Sequence, residues 1–117
     1  MDKKVIVIDD DLDFVDIFCQ LLEEQKVSVV GKGYNGKEAI DLYQEKNPDF
    51  IFLDLDMPDG TGFHAIRKIQ NINESAKIIA VTAMSNFSTQ SKLQKLNIHG
   101  TIIKPVDMDK VMELISD

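Results

Sequence analysis

The chain has 117 residues, 44% of them hydrophobic, with 20 acidic against 13 basic residues and a formal net charge of −7. That length is one domain with enough apolar side chains for a core. The one cysteine, Cys19, excludes an internal disulfide or a multi-cysteine metal cluster, and Arg67 as the one arginine among scattered lysines speaks against a nucleic-acid surface.

The charged start MDKK is followed by four apolar residues and then three aspartates, too short a run for a secretion signal. No run reaches the length of a membrane span, so a soluble, cytoplasmic protein without membrane contact is expected. Val5 to Ile8 reads as a buried strand that stops at Asp9-Asp10-Asp11. Phe14, Ile17, Phe18, Leu21 and Leu22 then recur at helical spacing, with Asp11 or Asp13 as the cap and Cys19 as a small buried residue of that helix. Val27 to Val30 predicts a second strand ending at Gly31 and Gly33. Asn35 and Glu38 have the spacing of a capping box, and the helix they open, with Ala39, Ile40 and Tyr43, stops before Pro48.

Phe50 to Leu53 is the central strand, and it runs into Asp54. Met57 to Gly62 has loop composition, with Gly60 adding flexibility rather than a phosphate cradle. Phe63, Ile66 and Ile69 mark a third helix, and Ile78 to Val81 a fourth strand ending at Thr82. Phe87, Leu93 and Leu96 mark a more polar fourth helix. Thr101 to Ile103 is a fifth strand that ends at Lys104-Pro105, and Asp107 caps a last helix with Val111, Met112, Leu114 and Ile115.

Uniformly apolar strands alternating with amphipathic helices predict an α/β fold with a parallel sheet covered on both faces. The expected arrangement is a doubly wound (βα)5 three-layer sandwich of flavodoxin-like order 2-1-3-4-5, one domain over 1–117. In that order the first and third strands adjoin at the topological switch. Asp9, Asp10 and Asp54 then meet outside the carboxyl ends. Clustered carboxylates need a counter-ion, and hard oxygen ligands without Cys or His suit Mg2+, or Mn2+, rather than zinc. A carboxylate beside such a cation can act as a nucleophile toward phosphorus, which gives Asp54 a chemical role. Lys104 supplies a point charge for phosphoryl oxygens, and Thr82 a hydroxyl.

The ordered set Asp9-Asp10, Leu53-Asp54, Met57-Pro58, Gly62, Thr82-Ala83 and Lys104-Pro105 resembles the receiver domain of two-component response regulators, close in size to the stand-alone chemotaxis type. The resemblance covers essentially the whole chain. It implies phosphorylation of Asp54 by a histidine kinase or a histidine phosphotransfer protein, and a downstream protein target or effector domain. It implies Asp10 as a direct Mg2+ ligand, Asp9 acting through water, and the Asp56 backbone carbonyl as a further ligand. Lys104 would pair with the phosphoryl group, or with Asp54 before phosphorylation, and Thr82 would move toward the phosphoryl oxygens. The implied state is a monomer or a phosphorylation-dependent homodimer, signalling rather than turning over a substrate, with slow hydrolysis of its own aspartyl phosphate. Met84 cannot hydrogen-bond an attacking water, which favours slow loss. Thr101 stands where the family usually has Tyr or Phe, so the aromatic half of the switch is expected to be missing or supplied elsewhere. Alternatives are the first domain of a longer DNA-binding regulator, a phosphatase of the haloacid-dehalogenase type, which the motif order fits poorly, or a receiver-like module that binds partners without phosphorylation. His64 and His99 are expected to be neither ligands nor bases.

Overall fold

A computed structural model describes residues 3–58, 61–84 and 86–116. The sequence alternates strand and helix five times: β1 (Lys4–Ile8), α1 (Leu12–Glu24), β2 (Ser28–Gly33), α2 (Gly36–Lys46), β3 (Phe50–Asp54), α3 (Thr61–Ile72), β4 (Ile78–Thr82), α4 (Phe87–Lys95), β5 (Gly100–Ile103) and α5 (Met108–Ile115). All strand pairings are parallel, in the order β2-β1-β3-β4-β5. The expected doubly wound α/β fold is thus the observed one. The loop residues Asp59 and Gly60 lie outside the described residues.

The period of two along each strand sorts the core into two layers. Val5, Val7, Phe50, Phe52, Ile79, Val81 and Ile102 face α1 and α5, where Phe18, Leu22, Val111 and Ile115 complete one buried cluster. Ile6, Ile8, Ile51, Leu53, Ile78 and Ala80 face the other way, onto Ala39, Ala65, Ile66, Ile69 and Leu93 of α2, α3 and α4. Every residue of β3 and β4 is buried, which is why those strands read as unbroken apolar runs. Fully burying one such aliphatic side chain stabilises by roughly 1.5–3 kcal/mol.

Register delivers the charged residues to one place. Ile8 pairs with Leu53, so Asp9 and Asp54 leave neighbouring strands side by side. Thr82 pairs with Ile103, so Lys104 emerges beside it, and the Lys104 N–H donates to the Thr82 carbonyl at 2.8 Å.

Some local expectations needed correction. β2 starts one residue later than expected and continues through Gly31 to Gly33. Glycine lowers strand propensity, but here a side chain at Gly33 would collide with Ile8, its Cβ lying 2.7 Å from the Ile8 Cδ1. Asp11, not Asp13, caps α1, accepting from the Phe14 N–H at 3.2 Å. Asn35 accepts from the Glu38 N–H at 2.8 Å as a capping box requires, but Glu38 reaches one residue farther back and accepts from the Tyr34 N–H at 2.7 Å. Phe87 does not anchor α4: it opens that helix and is 87% exposed, leaving Leu93 as the buried contact. Ile17 and Leu21 are also exposed on α1, although both have helical spacing.

Gly62 brings α3 against the end of β3. A Cβ there would lie 2.9 Å from the Asp54 carbonyl oxygen and 3.0 Å from the Leu55 Cα, both main-chain atoms that cannot rotate away. Gly62→Ala is therefore expected to lower unfolding free energy by about 1–3 kcal/mol, the usual cost of overpacking. A urea midpoint matching the parent would show that α3 yields freely.

Candidate functional site

Five strand-end residues form the floor of the site. Asp9 is buried, and its two carboxylate oxygens are both engaged: Oδ1 accepts from the Asp11 N–H at 2.9 Å and Oδ2 from the Lys104 ammonium at 2.9 Å. Asp54 is equally buried, its Oδ1 accepting from the Asp56 N–H at 2.9 Å and lying 3.8 Å from Lys104 Nζ. Asp10 is exposed. One carboxylate oxygen from each of Asp9, Asp10 and Asp54 fits within a 4.8 Å group, so the three can share one cation.

The electrostatics follow from burial. Desolvation pushes the Asp54 carboxyl up from the usual 3.8 to about 7. The Asp56 N–H and Lys104 oppose that rise, while the charges of Asp9 and Asp56 add to it. Burial works against the Lys104 ammonium, but the hydrogen bond to Asp9 and the carboxylates of Asp54, Asp9 and Asp56 outweigh it and raise its pKa. Lys104 thus pairs more closely with Asp9 than with Asp54, where the resemblance had pointed to Asp54 before phosphorylation. Its ammonium also lies 4.5 Å from the centre of the Phe14 ring, a cation–π contact. Helical spacing assigned Phe14 to the core and gave no hint of this role.

Thr82 is fully buried at the end of β4. Its hydroxyl donates to Asp56 Oδ1 at 2.8 Å and accepts from the Met84 N–H at 2.9 Å. The second Asp56 oxygen accepts from the Ala83 N–H at 2.7 Å. Sequence reading placed Asp56 beside the site for its backbone carbonyl and its charge; the side-chain bonds to β4 were invisible to it. Met84 is 44% exposed, with the Thr89 hydroxyl 3.9 Å from its sulfur, so it is less of a shield than its type suggests.

Residues set aside in the sequence stay apart from the site. His99 Nε2 is 2.7 Å from the Leu114 carbonyl and its ring packs edge-on against Phe50. Cys19 is buried, and burial raises its thiol to about 11, an unreactive state.

A donor set of carboxylate oxygens, with two buried acids and the partly buried Lys104 ammonium against them, is one that Mg2+ fits. The family model of the response regulator receiver domain matches residues 5–116. The chain belongs to this family. The receiver is 32% identical over 117 residues to the chemotaxis protein CheY of Halobacterium salinarum, covering all of this chain and 97% of that one. It is 30% identical over 116 residues to CheY of Thermotoga maritima, covering 99% and 97% of the two chains. A CheX–CheY–BeF3–Mg2+ complex from Borrelia burgdorferi contains a chain with the same fold, with a TM-score of 0.88, 23% identity, and coverage of 97% of this receiver and 86% of that chain. Receiver domains of two-component systems transduce signals through a phosphorylated aspartate and bind Mg2+ at an acidic pocket, and Asp9, Asp10 and Asp54 form an acidic cluster in this chain. Among the described residues, no helix is long and apolar enough to cross a membrane.

Proposed function

We propose that this receiver accepts a phosphoryl group on Asp54 from a phosphohistidine donor, in a Mg2+-dependent reaction, and signals by a conformational change. The observation that carries the reading is the position of Asp54: buried at the end of the central strand, within one cluster with Asp9 and Asp10, and 3.8 Å from an ammonium. Asp54 Oδ1 is occupied by the Asp56 N–H, so we assign the other carboxylate oxygen as nucleophile. It bonds to phosphorus as the donor's N–P bond breaks, and that electron pair returns to the imidazole nitrogen. Lys104 stays within reach of the new negative charge, and Thr82 supplies a hydroxyl from β4.

Bound Mg2+, or Mn2+, supplies charge neutralisation between the carboxylates and the phosphoryl oxygens. Asp10, Asp54 and the Asp56 carbonyl would hold it directly, and Asp9 through water. Both oxygens of Asp9 already have partners, which supports the indirect role. The protein acts as a cytoplasmic phosphoacceptor that hydrolyses its own acyl phosphate slowly, rather than as an enzyme with a separate substrate. Its donor is a histidine kinase or histidine phosphotransfer protein, and its output is a protein target or an effector domain, with monomeric or phosphorylation-dependent dimeric forms. Neither nucleic acid nor membrane is a partner of this domain. Thr101, half-buried on β5, favours one secondary reading, a receiver-like module that binds partners without phosphorylation.

Incubation with acetyl phosphate and Mg2+, followed by intact mass, tests the main reading. The expected result is a gain of one phosphoryl group, absent without Mg2+ and absent in Asp54→Asn. An unchanged mass of the parent protein would favour the unphosphorylated module.

A further inference from the structure

The hydroxyl of Thr82 has one hydrogen to donate, and that hydrogen is already committed to Asp56 Oδ1 at 2.8 Å. Its oxygen also accepts, from the Met84 N–H at 2.9 Å. The next main-chain donor along, the Ala83 N–H, is bound to Asp56 Oδ2 at 2.7 Å. One carboxylate therefore occupies two neighbouring donors at the end of β4. Asp56 itself is held toward β3 by its N–H, which donates to Asp54 Oδ1 at 2.9 Å. The result is a short bridge from the end of β3 to the end of β4, made by a side chain whose charge has the same sign as a phosphoryl group.

We propose that the Asp56 carboxylate is a latch: it competes with the phosphoryl group on Asp54 for the Thr82 hydroxyl and holds the start of the β4–α4 loop in the unphosphorylated arrangement. This rests on the reading of Asp54 as phosphoacceptor. Charge-assisted hydrogen bonds to a carboxylate are the stronger kind, so the latch is not released for free. A phosphoryl group has to draw the Thr82 hydrogen away from Asp56, and the bond to Ala83 then stands alone. The loop beyond is tied to α4, since the Gln90 side chain donates to the Met84 carbonyl at 3.4 Å, so release at Asp56 is felt at that helix. Asp56 is a positioning residue in this scheme. Its backbone carbonyl is untouched by side-chain substitution, which separates the latch from any role in holding a cation.

Two measurements test it. In the metal-free, unphosphorylated protein, the Ala83 amide proton is expected far downfield by NMR, moving upfield in Asp56→Ala and staying in place in Thr82→Val. An Ala83 resonance that ignores Asp56→Ala would overturn the latch, whatever happens at Asp54. The second measurement is a double-mutant cycle on the affinity for beryllofluoride with Mg2+. Asp56→Ala should tighten binding about tenfold when Thr82 is present, the size of one charge-assisted hydrogen bond regained. In the Thr82→Val background the gain should shrink to the few-fold left by removing a negative charge. Equal gains in both backgrounds would mean that Asp56 acts through charge alone and would overturn the competition. Failure of the parent protein to bind beryllofluoride, with the Ala83 signature intact, would instead overturn the phosphoacceptor reading.

Discussion

Asp54→Asn will make the metal-free domain more stable at pH 8, by about 2–4 kcal/mol, and will flatten its stability between pH 4 and pH 7. Burial raises the Asp54 carboxyl from 3.8 to about 7, so over that window the folded protein keeps a proton that the unfolded chain gives up. The folded state then binds more protons than the unfolded state, and stability falls as pH rises. Above the folded pKa the whole cost of a buried carboxylate is present. One pKa unit corresponds to about 1.4 kcal/mol, which sets the scale, and relaxation of the site lowers it. Asparagine keeps the oxygen that accepts from the Asp56 N–H and removes the charge. Added Mg2+ should stabilise the parent more at pH 8 than at pH 5 and should do little for the variant. Urea unfolding of both proteins across pH 4 to 8, with and without Mg2+, gives the answer. Parallel curves for parent and variant would mean that Asp54 titrates as an ordinary surface acid.

Lys104→Met is expected to have the opposite sign. It leaves Asp9 and Asp54, each 1% exposed, without the ammonium that lies 2.9 Å from one and 3.8 Å from the other. Removing one partner of a fully buried ion pair costs about 3–5 kcal/mol. Lys104 is 24% exposed and Asp9 keeps its bond from Asp11, so about 2–3 kcal/mol is expected at pH 8. The loss should be smaller at pH 5, where Asp54 takes up a proton and the repulsion between the acids falls. Mg2+ should recover part of it at pH 8. A change below about 0.5 kcal/mol, the range of ordinary surface substitutions, would reduce Lys104 to a solvated lysine. Methionine retains most of the apolar stem over Phe14, so the measured loss reports charge more than packing.

The sheet was legible because its strands are buried on both faces. FIFL and IIAV have no polar residue to interrupt them, and the apolar run is the signal. The strand ends were legible for the same reason: charge directly after a buried run, as at Asp9, Asp54 and Lys104, has to lie at the rim of the sheet. Elsewhere the physics was tertiary. The extension of β2 depends on glycines that fit against Ile8 and Leu42, and composition alone reads glycine as an ending. Phe87 has the spacing of a core residue, yet it stands at the first turn of α4, ahead of the helix face that meets the sheet. The Asp56 side chain could be placed beside Asp54 from its number, but its direction is set by the backbone bond to Asp54 and by the distance to β4. No pattern of residue types encodes that direction.

The contact between Lys104 and Asp9 spans 95 positions. In the sheet β3 and β4 lie between β1 and β5, and the pair forms only when the first and last strands have both found their places. It is therefore a closure contact, absent from any partly assembled chain in which β5 is undocked. The Lys104 amide, bonded to the Thr82 carbonyl, depends in turn on the pairing of β5 with β4. Its hydrogen exchange reports docking of β5 on β4, whereas amides within β1 and β3 can be protected by a smaller folded unit. The residue that balances charge at the site is thus also a marker of whether the two ends of the chain have met in one sheet.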